Sequence, residues 1–203
     1  MRNTFPSRLL LSVLFFALLM GGCGGKGSSG VQVSATITPT YNGVNTSSVD
    51  AVQNICTSAS STQTQPEYFA DHTATVSISA NLINPSNVIK QMTVYIDSYT
   101  IDYQSSADSA GAPAIQSDAR NKTTSFIVSS PTPSSVASIT VELVDLIRKN
   151  KYSNDALTAP SFLNNYTATY TFSGHSENGV PLTFSAQTDF QIGAFNNCPA
   201  GFF

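Results

Sequence analysis

Residues 166–192, YTATYTFSGHSENGVPLTFSAQTDFQI, decide the fold class of this chain. Apolar and polar residues alternate on both sides of a central segment, GHSENG, that begins and ends with glycine. The apolar positions are Tyr166, Ala168, Tyr170 and Phe172 before that segment, and Leu182, Phe184, Ala186, Phe190 and Ile192 after it. Successive side chains of a strand point to opposite faces, so this pattern predicts an antiparallel hairpin of two half-buried strands, 166–172 and 182–192.

The same alternation predicts further strands toward the N-terminus, at residues 31–37, 74–82, 92–103, 124–129 and 139–143. Asn84-Pro85-Ser86-Asn87 is typical of a turn. The polar segments 39–67 and 104–122 are interpreted as long Ser/Thr-rich loops, and VDLIRKNKY at 144–152 suits either a strand end or one helical turn. The prediction is an all-β fold, a single antiparallel β-sandwich of about seven strands over residues 31–203.

The alternation changes phase within the predicted strand 92–103. Met92, Val94 and Ile96 occupy even positions, whereas Tyr99, Ile101 and Tyr103 occupy odd ones. One extra residue at positions 97–98 would produce this change, so we expect a β-bulge or a bend there.

The predicted arrangement resembles an immunoglobulin-like or fibronectin-like domain. The chain contains no Trp, so the Cys…Trp…Cys hallmark of true immunoglobulin domains is absent and the resemblance is architectural. Domains of this kind in bacterial surface lipoproteins usually serve binding or structure, and the resemblance implies such a role here.

The first 22 residues have the organisation of an export signal. Arg2 and Arg8 form a positive region, and residues 9–20, LLLSVLFFALLM, form an apolar run of 12 residues. A membrane-spanning helix needs about 20 apolar residues, so this run predicts a cleaved signal peptide over residues 1–22.

Met20-Gly21-Gly22-Cys23 resembles the lipobox of bacterial lipoprotein precursors, with methionine where leucine is commonest. The resemblance implies cleavage after Gly22 and a lipid on Cys23, which would hold the protein at a membrane of the cell envelope. Residues 23–30 then comprise the lipidated cysteine and a flexible Gly/Ser tether. Gly24 stands where aspartate would signal inner-membrane retention, which favours the outer membrane if the organism has one. The alternative is an ordinary secreted protein with a chance cysteine.

Charge excludes one class of partner. Loss of Arg2 and Arg8 with the signal takes the formal net charge from −3 to −5, and the mature part has no Lys/Arg run. We therefore expect no nucleic-acid partner, and we expect the lipid rather than the protein surface to hold the domain at the membrane. An envelope protein or a glycan is the expected partner.

Cys56 and Cys198 remain once Cys23 is assigned to lipid. Exported thiols tend to oxidise in pairs, so we predict a Cys56–Cys198 disulfide; two buried free thiols are the alternative. There is no CxxC and no CxxCH motif, and no cofactor is predicted.

Candidate sites are few. His72 and His175 lack metal-site spacing and no GxSxG is present, so neither a catalytic residue nor a metal ligand is predicted. Tyr95, Tyr99 and Tyr103 are the candidate binding face, with ordinary cross-strand packing as the alternative. Four aspartates near the phase change and in the following loop are weaker calcium-ligand candidates, namely Asp97, Asp102, Asp108 and Asp118.

These observations favour a lipid-anchored envelope protein with a non-enzymatic binding or structural role. The alternatives are a lipid-anchored enzyme of the hydrolase type and a calcium- or carbohydrate-binding module. A pocket that gathers Asp, His and Ser side chains would favour the enzyme, and a flat aromatic sheet face would favour the binding module.

Overall fold

The computed structural model describes residues 30–58, 62–83, 91–129 and 135–198. The signal peptide, Cys23, most of the tether and the turn expected at 84–87 lie outside these residues. The strands are β1 (Val31–Tyr41), β2 (Val44–Asn45), β3 (Ser48–Asp50), β4 (Ile55–Thr57), β5 (Thr64–Pro66), β6 (His72–Leu82), β7 (Gln91–Ser105), β8 (Asp118–Ser129), β9 (Ser135–Val144), β10 (Asn164–Ser176) and β11 (Pro181–Gly193). The described helices are a 3₁₀ turn, Ala107–Ser109, and α1, Leu146–Ala156.

The strands form two main sheets and one small one. The first sheet has the order β2-β1-β6-β9, the second has the order β3-β11-β10-β7-β8, and β4 pairs with β5. The described pairs are antiparallel except β3 with β11, which is parallel. The hairpin of residues 166–172 with 182–192 is confirmed, with Tyr166 opposite Phe190 and Phe172 opposite Phe184. The protein is therefore mostly β, as its sequence predicts.

Three details differ from the sequence-based expectation. The described residues contain eleven strands rather than about seven, because the 39–67 connection holds β2 to β5, which are too short for alternation to reveal. β8 begins at Asp118, inside the expected loop, since its first half is polar on both faces. Residues 146–156 form a full helix, whose N-cap residue Asp145 accepts a hydrogen bond from the Arg148 amide.

The expected irregularity in β7 is present. The pairing of β7 shifts around Asp97 on both sides: against β10 Asp97 is the extra residue, whereas against β8 the two residues Lys122 and Thr123 lie opposite Asp97. β10 meets this bulge with Gly174, where a Cβ atom would lie 2.0 Å from the carbonyl oxygen of Tyr95. The close approach of the two backbones therefore requires glycine at position 174.

One hydrophobic core joins the facing sides of the two main sheets. The first sheet contributes Ala74, Val76 and Ile78 from β6, and Ile139, Val141 and Leu143 from β9; the second contributes Ile96, Tyr99, Ile101, Tyr166, Ala168, Tyr170, Phe172, Phe184, Phe190 and Ile192. A smaller cluster of Val31, Ala80, Met92, Val94 and Val128 adjoins it at the start of β1. Burial of these apolar side chains is the main source of stability.

The two ends of the domain differ in complexity. Gly30 accepts a hydrogen bond from the Ile83 amide and lies against Met92, so the chain enters at the end formed by residue 83 and the start of β7. The opposite end, called here the far end, comprises residues 41–58, 62–72, 106–117, 145–163 and 193–198 and carries α1, the small sheet and the 3₁₀ turn. No helix among the described residues is long and apolar enough to cross a membrane.

Candidate functional site

A cleft opens at the far end between α1 and the loop that precedes β8. Its volume is about 260 Å³. The lining combines apolar and charged side chains. Its residues are Ala114, Ile115, Gln116, Asp118, Arg120, Asp145, Ile147, Arg148, Lys151 and Tyr152. Tyr152 and Ile115 are buried, whereas the Ile147 side chain at the mouth is 79% exposed. The cleft suits a small apolar group that reaches it past Ile147.

Arg148 fixes one wall of this cleft. Its guanidinium donates to the carbonyl oxygens of Gln116 (2.8 Å) and Ser117 (3.2 Å), and it pairs with Asp145 (2.5 Å) and Asp118 (3.2 Å). One half-buried side chain thus ties the loop, the start of β8 and the start of α1 together. The shape of the cleft depends on this arginine.

Arg120 completes an ion-pair cluster behind the wall. It contacts Asp118, Glu142 (2.8 Å) and Asp145 (3.0 Å). Burial works to raise the pKa of Asp118, but the hydrogen bond from Arg120 and the Arg148 charge outweigh it and hold that pKa below its usual range. Carboxylate oxygens of Asp118, Glu142 and Asp145 lie within 4.8 Å of one another, but each already pairs with Arg120, and Arg148 also pairs with two of them, so we assign no cation here.

Tyr99 and Tyr103 do not belong to an exposed face, which corrects the expected tyrosine surface. Tyr99 is 4% exposed and accepts a hydrogen bond from the Glu142 amide, and Tyr103 donates to the Leu143 carbonyl (2.5 Å). The Asp97 bulge inverts the phase of β7, so odd positions after it point into the core. Only Tyr95, before the bulge, is on the outer side.

The two histidines lie in different environments. His72 is fully buried, stacks on the Tyr41 ring at 4.9 Å and has its Nε2 atom 3.3 Å from the Thr46 carbonyl oxygen. Burial lowers the pKa of His72 to about 4. His175 is half-buried, stacks on Tyr95 at 5.0 Å and has Nδ1 2.9 Å from an Asp97 oxygen. In the described part of the chain, no serine or threonine hydroxyl is hydrogen-bonded to this Asp97–His175 pair.

The four aspartates named as calcium-ligand candidates do not converge. Asp97 pairs with His175, Asp108 accepts from the Asn165 amide (2.9 Å), and Asp118 belongs to the arginine cluster. Asp102 is exposed on β7 opposite Thr169. Each carboxylate therefore has its own surroundings, and the four form no common oxygen cage.

The Cys56–Cys198 disulfide is present, with Cα atoms 5.6 Å apart. It attaches the segment after β11 to β4 at the far end. Comparisons with protein-family models, curated proteins and solved structures found no match. The arguments below therefore rest on the residues of this chain.

A buried lysine on the inner face of α1 was not predicted from the sequence. Lys149 has no exposed surface; its ammonium donates to the Ala70 carbonyl (2.6 Å) and lies over the rings of Tyr41 (5.1 Å) and Phe69 (4.7 Å). Burial lowers the pKa of Lys149 to about 8, against the nearby charges of Asp50, Asp71 and Glu67. The only local signal was the helical option for residues 144–152, which puts Lys149 on the same face as Tyr152.

Large apolar side chains are exposed mainly at the far end. Six of the eight in the described ranges lie there and are at least 50% exposed, namely Val44, Ile55, Tyr68, Ile147, Leu157 and Leu163. The other two are Ile83 and Ile127. Concentrated apolar exposure is typical of interaction sites.

Proposed function

We propose that this chain is a lipid-anchored cell-envelope protein with a non-enzymatic binding or structural role, whose partner contacts the far end. The main support for this proposal is that six exposed apolar side chains lie at the end opposite Gly30. A tether that enters at Gly30 leaves those side chains directed away from the membrane, where a partner reaches them.

The address follows from the residues that precede the domain. A positive region, a 12-residue apolar run and the Met20-Gly21-Gly22-Cys23 sequence together support export, cleavage and lipidation of Cys23. Two or three acyl chains anchor stably, whereas one alone is marginal. Gly24 supports the outer membrane as the destination in an organism that has one.

We also propose that the domain is a variant of the immunoglobulin-like or fibronectin-like sandwich. Seven strands have ten or more residues, and in chain order they are β1, β6, β7, β8, β9, β10 and β11. One sheet contains β1, β6 and β9 of this set, and the other contains β11, β10, β7 and β8 in that order. Such crossing between sheets supports a Greek-key sandwich, to which β2 to β5 and α1 are additions at the far end.

The anchor is tested on protein recovered from envelopes. Mass spectrometry should find the mature N-terminal peptide starting at Cys23 with acyl chains attached, and the protein should partition into detergent. Cys23→Ser should be released from the membrane or held only by its uncut signal. An unmodified Cys23 in the mature protein would refute lipidation.

The binding end is tested with two matched double variants. Ile147→Asp/Leu157→Asp places charge at the far end, and Ile83→Asp/Ile127→Asp places it at the remaining exposed apolar positions. After cross-linking in intact cells, the first should lose the partner bound by the wild type and the second should retain it. Equal cross-linking by both would contradict a partner at the far end.

A further inference from the structure

Two acidic side chains are buried beside the segment that follows β11. Asp50 ends β3 and is 1% exposed, and Glu67 follows β5 and is 2% exposed. Acidic side chains are almost never this deeply buried without partners, because desolvation of a carboxylate is costly. The contacts of these two groups explain how they are accommodated.

Both carboxyl groups receive hydrogen bonds from the segment at 194–198. Asp50 accepts from the amides of Val52 and Phe195, at 3.1 Å each, and from the Asn197 side chain at 3.1 Å. Glu67 accepts from the backbone amide of Asn197 at 3.1 Å. Asn197 therefore bridges the two acids, and the segment is held mainly by polar contacts with them.

Asn54 attaches the Glu67 side of this cluster. Its backbone amide and side-chain amide each donate to Glu67 at 3.1 Å, and its side chain also donates to the Phe195 carbonyl at 2.9 Å. The Cys56–Cys198 disulfide holds the C-terminal residue of the same segment. Residues 194–198 are thus fixed by a covalent bond at Cys198 and by hydrogen bonds to two carboxyl groups at Phe195 and Asn197.

Asn197 donates to Oδ2 of Asp50 and to Oε2 of Glu67, so the two buried carboxyl groups meet at this residue. A carboxylate has only acceptor oxygens, so a bond between two carboxyl groups requires one proton. The charged and titratable groups that face the pair are Lys149 from α1 and Tyr41 from β1; His72 from β6 and Asp71 act on Lys149 behind them. The surroundings therefore hold one cation against two acids.

We propose that Asp50 and Glu67 share one proton and form a pH-operated clamp, which holds residues 194–198 against β3 and loosens them when the proton is lost. Loss of the proton leaves two buried carboxylates side by side, whose repulsion the low-polarity surroundings enhance. The disulfide keeps the loosened segment attached at Cys198. The clamp lies at the far end, so it would alter the surface proposed to meet the partner.

The titration favours this behaviour in a physiological range. Burial and then the hydrogen bond with Glu67 raise the pKa of Asp50 to about 7. For Glu67, burial acts upward, but the hydrogen bonds from Asp50 and Asn54 outweigh it and lower the pKa. A raised pKa in the folded state means that the stabilisation is complete at acidic pH and is lost as pH rises through 7. Lys149, with a pKa of about 8, offsets the repulsion until it also loses its charge.

The test is hydrogen–deuterium exchange on the full mature chain in detergent, from about pH 5.5 to about pH 8.5, with correction for intrinsic exchange. Protection of the Phe195 and Asn197 amides should fall at least about tenfold across this range, the factor corresponding to one pKa unit. Amides of the β10–β11 hairpin should keep their protection. Unchanged protection of residues 195–197 would overturn the proposal.

Variants separate the clamp from general effects of pH. Asp50→Asn still accepts from Val52 and Phe195 and can donate to Glu67 without titrating, although its amide no longer accepts from the Asn197 side chain. The readout is therefore the pH dependence of protection and not its level, and protection should not change across the range. Asp71→Asn, which removes another acid near Lys149, should retain the wild-type loss. If Asp50→Asn does not fold, Glu67→Gln takes its place; its amide replaces one acceptor of Asn54 or Asn197, so again only the pH dependence of protection is compared, and it should be absent. A full pH-dependent loss in the variant used would contradict the clamp.

Discussion

Cys56 and Cys198 are joined across 142 positions of sequence, and their Cα atoms lie 5.6 Å apart. The bond connects β4 of the small sheet to the segment that follows β11. A cross-link over so long a loop restricts the unfolded chain strongly, and the chain-entropy model gives about 5 kcal/mol for it.

We predict that reduction of this bond lowers the unfolding temperature of the mature protein by about 10 °C or more, given about 2–4 °C per kcal/mol for a domain of this size. Thermal unfolding followed by circular dichroism, with and without reductant, measures the change. A Cys56→Ser/Cys198→Ser variant should unfold near the reduced temperature and ignore reductant. A wild-type protein unaffected by complete reduction would contradict the prediction.

Gly174→Ala should destabilise the protein by about 2–3 kcal/mol, because its Cβ atom would lie 2.0 Å from the Tyr95 carbonyl at the bulge. Denaturant unfolding monitored by circular dichroism measures the loss. Gly43→Ala is the matched control: Gly43 has φ +77° but nothing within 4 Å of an added Cβ, so only backbone strain of about 1 kcal/mol applies. Equal effects of the two changes would argue against the close approach at Gly174.

Arg148→Ala should lower the free energy of unfolding by about 2–3 kcal/mol. The change removes one of the two positive charges that pair with Asp145, and it leaves the carbonyl oxygens of Gln116 and Ser117 without the hydrogen bonds that Arg148 donates. Chemical denaturation measures the stability. Lys151→Ala is the control on the same helix; its pair with Asp155 is exposed, so its loss should cost less than about 0.5 kcal/mol. A negligible effect of Arg148→Ala would show that the cleft wall does not depend on it.

His72 should make stability fall in mild acid. Burial lowers its folded-state pKa from 6.5 to about 4, so the folded state binds fewer protons than the unfolded state between these values. Its contribution is complete above pH 6.5 and is lost as pH falls through 4. His72→Phe should therefore show a shallower decline in the free energy of unfolding over this window.

The readout for His72 is the slope and not the absolute stability, because Phe also removes the contact with Thr46. His72→Gln keeps a donor for that carbonyl and serves if the Phe variant is unstable. Asp50 titrates in every version, so its opposite contribution cancels from the comparison. Parallel slopes for wild type and variant would refute the buried neutral histidine.

The sequence by itself determined the features that depend on short-range periodicity. The alternation of residues 166–192 placed one face of each strand in the core, and the hairpin register followed from it. The phase change at Asp97 located the bulge, because an extra residue reverses every later side chain of a strand. The even pair of remaining cysteines predicted the disulfide through exported-thiol chemistry alone.

Only the tertiary structure decided which polar groups meet at the far end. Asp50, Glu67 and Asn197 belong to three segments that are far apart in sequence and share no pattern. Tyr99 and Tyr103 likewise became core residues because the bulge turned them toward β9. The physical reason is that alternation reports which side of a strand is buried, whereas convergence of side chains depends on sheet order and on where the connections cross.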